Sequence, residues 1–507
     1  MRIIFLALCC FATVVRSLSI SKCTGNERDL FLDTTHGRAA GSCKFVTIND
    51  NNQKYFRSSN VYSWLGIPYA EPPIFDNRFK RTVEAKPWTE ILNATRLPSA
   101  CLSEMSNDIQ EKANQSKSLE QFAGFTMWRT SSRQPISFSE DCLYLNIYVP
   151  AEVYLKVNLD PYAPTPAKPP KPPIMVFFHG GQTQFGSSSL DVYDPSTLVA
   201  ASNVIVVTVN YRLGIFGFLS YGDEIGGNQA LYDQHEALKW IKNNAESIGG
   251  DPERITLMGH EAGAVLGGYH LFYRDSWPYF TNIILQSGSP LLTALQPISK
   301  REANHRATEI IKYIGCSSDS NDEVLTCLRS ANHLAESAHV YFSDLLKAKK
   351  HASLYLQTYF PPVVDGDIVR DNPQELLKRG DFKKCPILLG FTADEGSSTI
   401  ALSGLMGSRA ADLRKQQNIS HDALTSFVNE YFSFYPNYPR ETSELFISSI
   451  MHEYTRITSL KQSTLAASSS HLLKSNYFHT LNKIIADEAY ICPAYRLAEH
   501  YSKAGLN

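Results

Sequence analysis

Ile255-Thr256-Leu257-Met258-Gly259-His260-Glu261-Ala262-Gly263-Ala264-Val265-Leu266 decides how this chain is read. An apolar run of strand type leads into Gly-x-Glu-x-Gly, and an apolar run of helical type follows. Strand, Gly-x-nucleophile-x-Gly, helix is a nucleophile elbow: two small residues permit a sharp, strained turn that pushes the middle side chain into an active site. That middle residue is ordinarily serine. Here it is Glu261, a carboxylate.

Other apolar runs extend the pattern on both sides of the elbow. Ile174 to Phe178 ends at His179-Gly180-Gly181, and Asn203 to Val209 is rich in β-branched residues. Ile283-Ile284-Leu285 and Ile387-Leu388-Leu389 follow. Continuous apolar runs suit parallel strands buried on both faces. Helix-like segments such as Asn228 to Ala245 lie between them. Alternating β and α elements predict an α/β fold with a central, mostly parallel sheet flanked by helices. Residues 300–380 and 400–490 read as helical and carry no chemical motif of their own. Asp160 to Pro173 is proline-rich and reads as a stiff surface loop between neighbouring strands.

The chain has 507 residues, 43% hydrophobic and 19% charged, which supports a sizeable core and excludes a disordered chain. A net charge of −2 gives no reason to expect nucleic acid as a partner. Residues 1–17 read as a secretory signal: Arg2, an apolar stretch from Ile3 to Val15, then Val15-Arg16-Ser17 as cleavage site. Residues 18–507 then form the mature domain, expected outside the cell, with no further transmembrane segment. Cys9 and Cys10 leave with the signal, and eight cysteines remain: Cys23, Cys43, Cys101, Cys142, Cys316, Cys327, Cys385 and Cys492. In a secreted chain these imply disulfides, with pairing open at this level. Asn93, Asn114 and Asn418 begin glycosylation triplets. No cofactor and no metal is expected.

Five further segments carry a resemblance. They are Leu65 to Pro73, Glu140 to Asn146, Asn210 to Phe218, Gly249 to Pro252 and Leu285 to Ser289. In this order they resemble the type B carboxylesterase and cholinesterase family, from about residue 30 to the last residue. Within it, Ser187 to Tyr193, Gly124 to Trp128 and Asp394 to Ser397 are most similar to the cholinesterases. The resemblance implies the α/β-hydrolase fold. It implies disulfides Cys101–Cys142 and Cys316–Cys327, each contributing roughly 3–4 kcal/mol by loop closure. It also implies two buried ion pairs, Arg78 with Glu140 and Arg212 with Asp233.

The same resemblance assigns the catalytic positions, and several depart from it. Glu261 stands where the nucleophilic serine belongs. A carboxylate serves as nucleophile at some elbows, but glutamate is a methylene longer than aspartate and an acyl anhydride still needs a base. His260 stands where these enzymes usually carry glutamate, and a local ion pair with Glu261 is the expected arrangement. Glu395 matches the triad acid. The family's histidine lies in a loop beyond the segment like Ala489 to Pro493, past Asn507; His471 and His479 do not fit its motif. On this reading the base is absent, the C-terminal part of the domain is incomplete, and the central sheet ends on an exposed edge, an aggregation hazard. Cys492 is then left without its usual partner, to pair with Cys385, stay free or bridge to another chain. The oxyanion donors are placed at Gly180, Gly181 and Ala262, with Gln182 replacing a third glycine. Trp128 matches an indole that binds the ammonium of choline by cation–π contact, but Ser398 and Thr399 replace aromatic residues that would complete such a pocket.

In a subtilisin triad, loss of the nucleophile alone costs about 10⁶-fold in turnover. The expectation is therefore a catalytically inactive homologue. Relatives lacking the nucleophile, such as neuroligins, gliotactin and neurotactin, act in adhesion or receptor binding. The resemblance thus implies an extracellular protein partner. Sequestration of a cationic small molecule through Trp128, and choline-ester hydrolysis, are the alternatives. Oligomer formation is left open.

Overall fold

A computed structural model describes residues 23, 30–48, 57–103, 137–153, 171–338, 340–341, 358–397, 400, 419–433, 444–456 and 477–506. The signal segment, Trp128, Asn114, Asn418, Ser398, Thr399, His471 and most of the proline-rich stretch lie outside the described residues.

Eight strands form the central sheet. In chain order they are β1 (Ser42–Ile48), β2 (Arg57–Pro68), β3 (Tyr144–Pro150), β4 (Ile174–Phe178), β5 (Ile205–Val209), β6 (Ile255–His260), β7 (Asn282–Gln286) and β8 (Ile387–Gly390). Their order across the sheet is β8-β7-β6-β4-β5-β3-β2-β1. The five strands from β8 to β5 are mutually parallel, while β3, β2 and β1 join antiparallel. This is the α/β sheet expected from the alternating apolar runs, in the α/β-hydrolase arrangement that the resemblance implies, and the runs chosen from the sequence form its parallel half. Every residue of β5 is buried, as a strand covered on both faces requires.

β5 and β6 lie on opposite sides of β4. The chain therefore switches direction across the sheet between them, through helix α1 (Gln229–Asn244). Such a reversal opens a crevice at the carboxyl ends of the strands, where ligands bind in open α/β sheets. The loop after β4 and the elbow after β6 both end there.

Helix α2 (Ala262–Tyr269) follows the elbow, and all eight of its residues are buried. Helix α1 buries Ala230, Leu231, Ala237, Leu238, Trp240 and Ile241 in the same continuous core. Helix α3 (Lys300–Ile314) begins at Ser299, whose side chain accepts from the Glu302 amide, and ends at Gly315 in the left-handed conformation. Helix α4 (Asn321–Ser330) comes next. A separate apolar cluster joins Leu424, Phe427 and Val428 of α5 (His421–Ser433), Ile447 and Met451, and Leu481, Ile484 and Ile485 of α6 (Phe478–Ala486). The last helix, α7 (Cys492–Lys503), packs Leu497 and Tyr501 into the main core.

Cys101–Cys142 and Cys316–Cys327 are bonded, as the resemblance implies, and Cys23 pairs with Cys43, which sequence left open. Cys385 is free and buried, and Cys492 is free and exposed, so the two do not pair with each other. Both ion pairs are present. Arg78 binds Glu140 through two contacts of 2.7 Å. Arg212 binds Asp233 at 2.7 and 2.8 Å, with both groups buried. Among the described residues β8 pairs on one side only, and Leu388 on it is 61% exposed.

Candidate functional site

Glu261 sits at the apex between β6 and α2 with φ 51° and ψ −118°. Non-glycine residues avoid this region, and holding one there costs about 1–3 kcal/mol. The surroundings enforce it. The Glu261 amide donates to the Gln286 carbonyl at 2.9 Å, and its carbonyl accepts from Ala264 and Val265 at 3.0 Å. Gly263 is required by close approach: a Cβ there would run into the Phe178 and His179 carbonyl oxygens. The Gly-x-Glu-x-Gly pattern thus forms the elbow anticipated from sequence.

The loop after β4 runs past this apex. Gln182 and Thr183, at φ 53° and 63°, are two successive non-glycine residues in the left-handed region. The loop is anchored from behind. Gly181 accepts from the Gln184 and Phe185 amides, and the Gly214 amide donates to Thr183. The Tyr211 hydroxyl donates to the His179 carbonyl, and the two rings stack at 4.5 Å. Burial holds the His179 imidazole down at about 4, so it is neutral at physiological pH.

Glu261 closes the gap between elbow and loop. Its Oε2 accepts from the Gly181 amide at 2.6 Å and from the Gln182 amide at 2.9 Å. Two convergent backbone N–H groups on one oxygen is the arrangement an oxyanion hole offers to a reaction intermediate. Here a side chain of the protein occupies it. The amides that converge are those of Gly181 and Gln182, so the loop's contribution is one residue later than the Gly180–Gly181 assignment. Gly180 serves differently. A Cβ on it would lie 3.0 Å from Glu261 Oε2 and 2.9 Å from the His260 carbonyl, so its bare Cα makes room for the carboxylate.

His260 does not form the expected ion pair with Glu261. Its Nδ1 meets the Tyr193 hydroxyl at 3.2 Å instead. Side chains at successive strand positions point to opposite faces, and the turn at 261 carries Glu261 away from its neighbour. Burial, then the negative charge of Glu261, pushes the Tyr193 phenol up to about 12. The same two causes raise Tyr211 well above its ordinary value. Tyr193 and Tyr211 were not singled out from sequence as site residues; the signals were Tyr193 at the end of the segment Ser187 to Tyr193 and Tyr211 within the segment Asn210 to Phe218, both of which carry the resemblance.

Glu395 is turned to its own loop, accepting from the Thr392 amide at 2.7 Å. Neighbouring Asp394 accepts from Asn482 of α6 at 2.7 Å. His479 is exposed on that helix. Among the described residues no histidine ring hydrogen-bonds to Glu261. No group of three or more metal-ligating side chains occurs among the described residues.

Residues 43–507 match the family model described as "Carboxylesterase family". This chain belongs to the carboxylesterase family. It is similar to acetylcholinesterase of Danio rerio, 38% identical over 373 residues, which is 73% of this chain and 52% of the relative. It is likewise similar to cholinesterase of Mus musculus, 35% identical over 378 residues, 73% of this chain and 54% of the relative. Acetylcholinesterase of Bungarus fasciatus is 32% identical over 449 residues, 88% of this chain and 64% of the relative. The chain spans about half the length of the first two of these curated relatives. Within this carboxylesterase-family chain, the elbow and the loop after β4 are in place, with a glutamate at the apex.

Proposed function

We propose that this carboxylesterase-family protein is secreted, has lost ester hydrolysis, and acts by binding a protein partner outside the cell. One observation carries the loss of activity: the Glu261 carboxylate sits at the elbow's apex and engages the two loop amides that would serve a reaction intermediate. A substrate carbonyl entering the crevice meets an occupied donor pair and a negative charge. Neither stabilises a developing oxyanion.

Three disulfides support an oxidising compartment. Among the described residues no helix is long and apolar enough to cross a membrane. Cholinesterase relatives supply the substrate class against which loss is measured. Trp128, the residue on which cation binding would turn, lies outside the described residues.

The test is hydrolysis of acetylthiocholine and of a nitrophenyl ester by the purified secreted protein, beside Glu261→Ser. No turnover by the natural protein is expected. Turnover abolished by Glu261→Ala would overturn this reading and restore choline-ester hydrolysis as the function.

A further inference from the structure

The hole that Glu261 occupies is built, not collapsed. Its two donors are main-chain amides from one short loop, and both are at charge-assisted hydrogen-bonding distance from one carboxylate oxygen. The loop residues around them hold unfavourable backbone: Gln182 and Thr183 are both left-handed without being glycine. The opposite wall carries another unfavourable backbone, at Glu261 itself. Gly180 leaves the space through which the carboxylate reaches the loop. Two strained segments from different parts of the chain are thus joined by one carboxylate across a gap of 80 residues in sequence.

We propose that the oxyanion hole persists in this protein as a carboxylate-binding site filled in cis, and that Glu261 acts as a structural clasp between elbow and loop. The inference rests on the loss-of-activity reading only in taking Glu261 as a non-catalytic group. The ligand class follows from the geometry: a small monocarboxylate presents the same oxygen to the same two amides. Such an anion reaches the site only when the Glu261 side chain is removed.

The experiment uses the full secreted chain and its Glu261→Ala variant, with acetate as probe against chloride at equal ionic strength. Thermal unfolding is followed at neutral pH. The variant is expected to melt several degrees below the natural protein in chloride. Acetate is expected to raise its midpoint in a saturable way, as a ligand binding the folded state must. The natural protein, whose site is filled, should show no such saturable rise. An acetate response equal in both proteins, or a variant as stable as the natural protein with no response, would overturn the proposal.

If Glu261→Ala does not fold, two measurements still decide. Glu261→Gln keeps the length and an acceptor oxygen but removes the charge, and should melt between the natural protein and Glu261→Asp, which is too short to reach both amides. Amide hydrogen exchange at Gly181 and Gln182 in the natural protein should be slow; free exchange at both would sink the clasp. Ester hydrolysis is scored separately, so a catalytic wild type would refute the loss of activity without touching the anion-rescue result.

Discussion

Glu261 Oε2 lies 2.6 Å from the amide nitrogen of Gly181, and this contact couples the elbow to the loop after β4. It makes a closed hydrogen-bonded unit of the elbow and the loop. The contact depends on a missing side chain: a Cβ on Gly180 would crowd the same oxygen at 3.0 Å.

Gly180→Ala is therefore expected to displace the Glu261 carboxylate and break both amide bonds. Hydrogen bonds to charged groups contribute roughly 1.5–3 kcal/mol each, and the displaced carboxylate regains solvent. A net loss of about 2–3 kcal/mol is expected in denaturant unfolding. An unchanged midpoint would mean the carboxylate moves without cost.

Removing one partner of a buried ion pair leaves the other charge exposed to an apolar interior. Asp233 accepts from the Arg212 guanidinium and from the Arg212 amide at 3.0 Å. Asp233→Ala is expected to cost about 3–5 kcal/mol, and Arg78→Ala a comparable amount because Glu140 and the carbonyls of Leu328, Arg329 and Ala331 lose their donor. Equilibrium unfolding of each variant checks this. Arg212→Met with Asp233→Leu should recover much of the loss, since neither charge is then stranded.

Acid should weaken the fold through its histidines. Burial holds His179 at about 4 and His270 at about 3, against about 6.5 for a free imidazole. Below pH 6.5 the unfolded chain binds protons that the folded chain does not. Stability from these rings is thus complete above about pH 6.5 and falls as pH drops toward the folded values, by about 3 kcal/mol for His179 and about 5 kcal/mol for His270. His179→Gln should flatten the slope of stability against pH between about 6.5 and 4. An unaltered slope would show that His179 is protonated in the folded protein.

The two free thiols should be distinguishable. Cys492 is exposed at the start of α7, while burial pushes the Cys385 thiol up to about 11. A thiol-specific chromogenic disulfide at pH 8 should label Cys492 in the native protein and Cys385 only after denaturation. Labelling of both at equal rates would mean that α7 opens readily from the core.

Among the described residues one side of β8 has no strand partner, and that side is expected to promote self-association. Leu388 on β8 is exposed, as are Phe391 just after it and Tyr495 of α7, whose two rings lie 6.0 Å apart. Leu388→Lys is expected to lower the association seen at high protein concentration by analytical ultracentrifugation, because a charge on an edge strand opposes pairing. Equal association in both proteins would place any contact elsewhere.

Much of this molecule was legible before any coordinates. Short apolar runs are satisfied as strands of a covered sheet, so β4, β5, β6, β7 and β8 were readable from the sequence pattern, although β8 leaves Leu388 exposed. Gly259-x-Glu261-x-Gly263 specified the elbow because only small residues pass the turn so closely. The two disulfides and two ion pairs implied by the resemblance are also in place. What the chain could not reveal by itself was where side chains point across long separations. Glu261 reaches amides 80 and 79 residues upstream, His260 turns to Tyr193, and Cys385 is free and buried while Cys492 is free and exposed. Local pattern determines strands and turns because period and steric fit are local properties. The contents of the crevice were decided only by the packing of β4 beside β6, which brings the loop amides within reach of a carboxylate one methylene longer than aspartate.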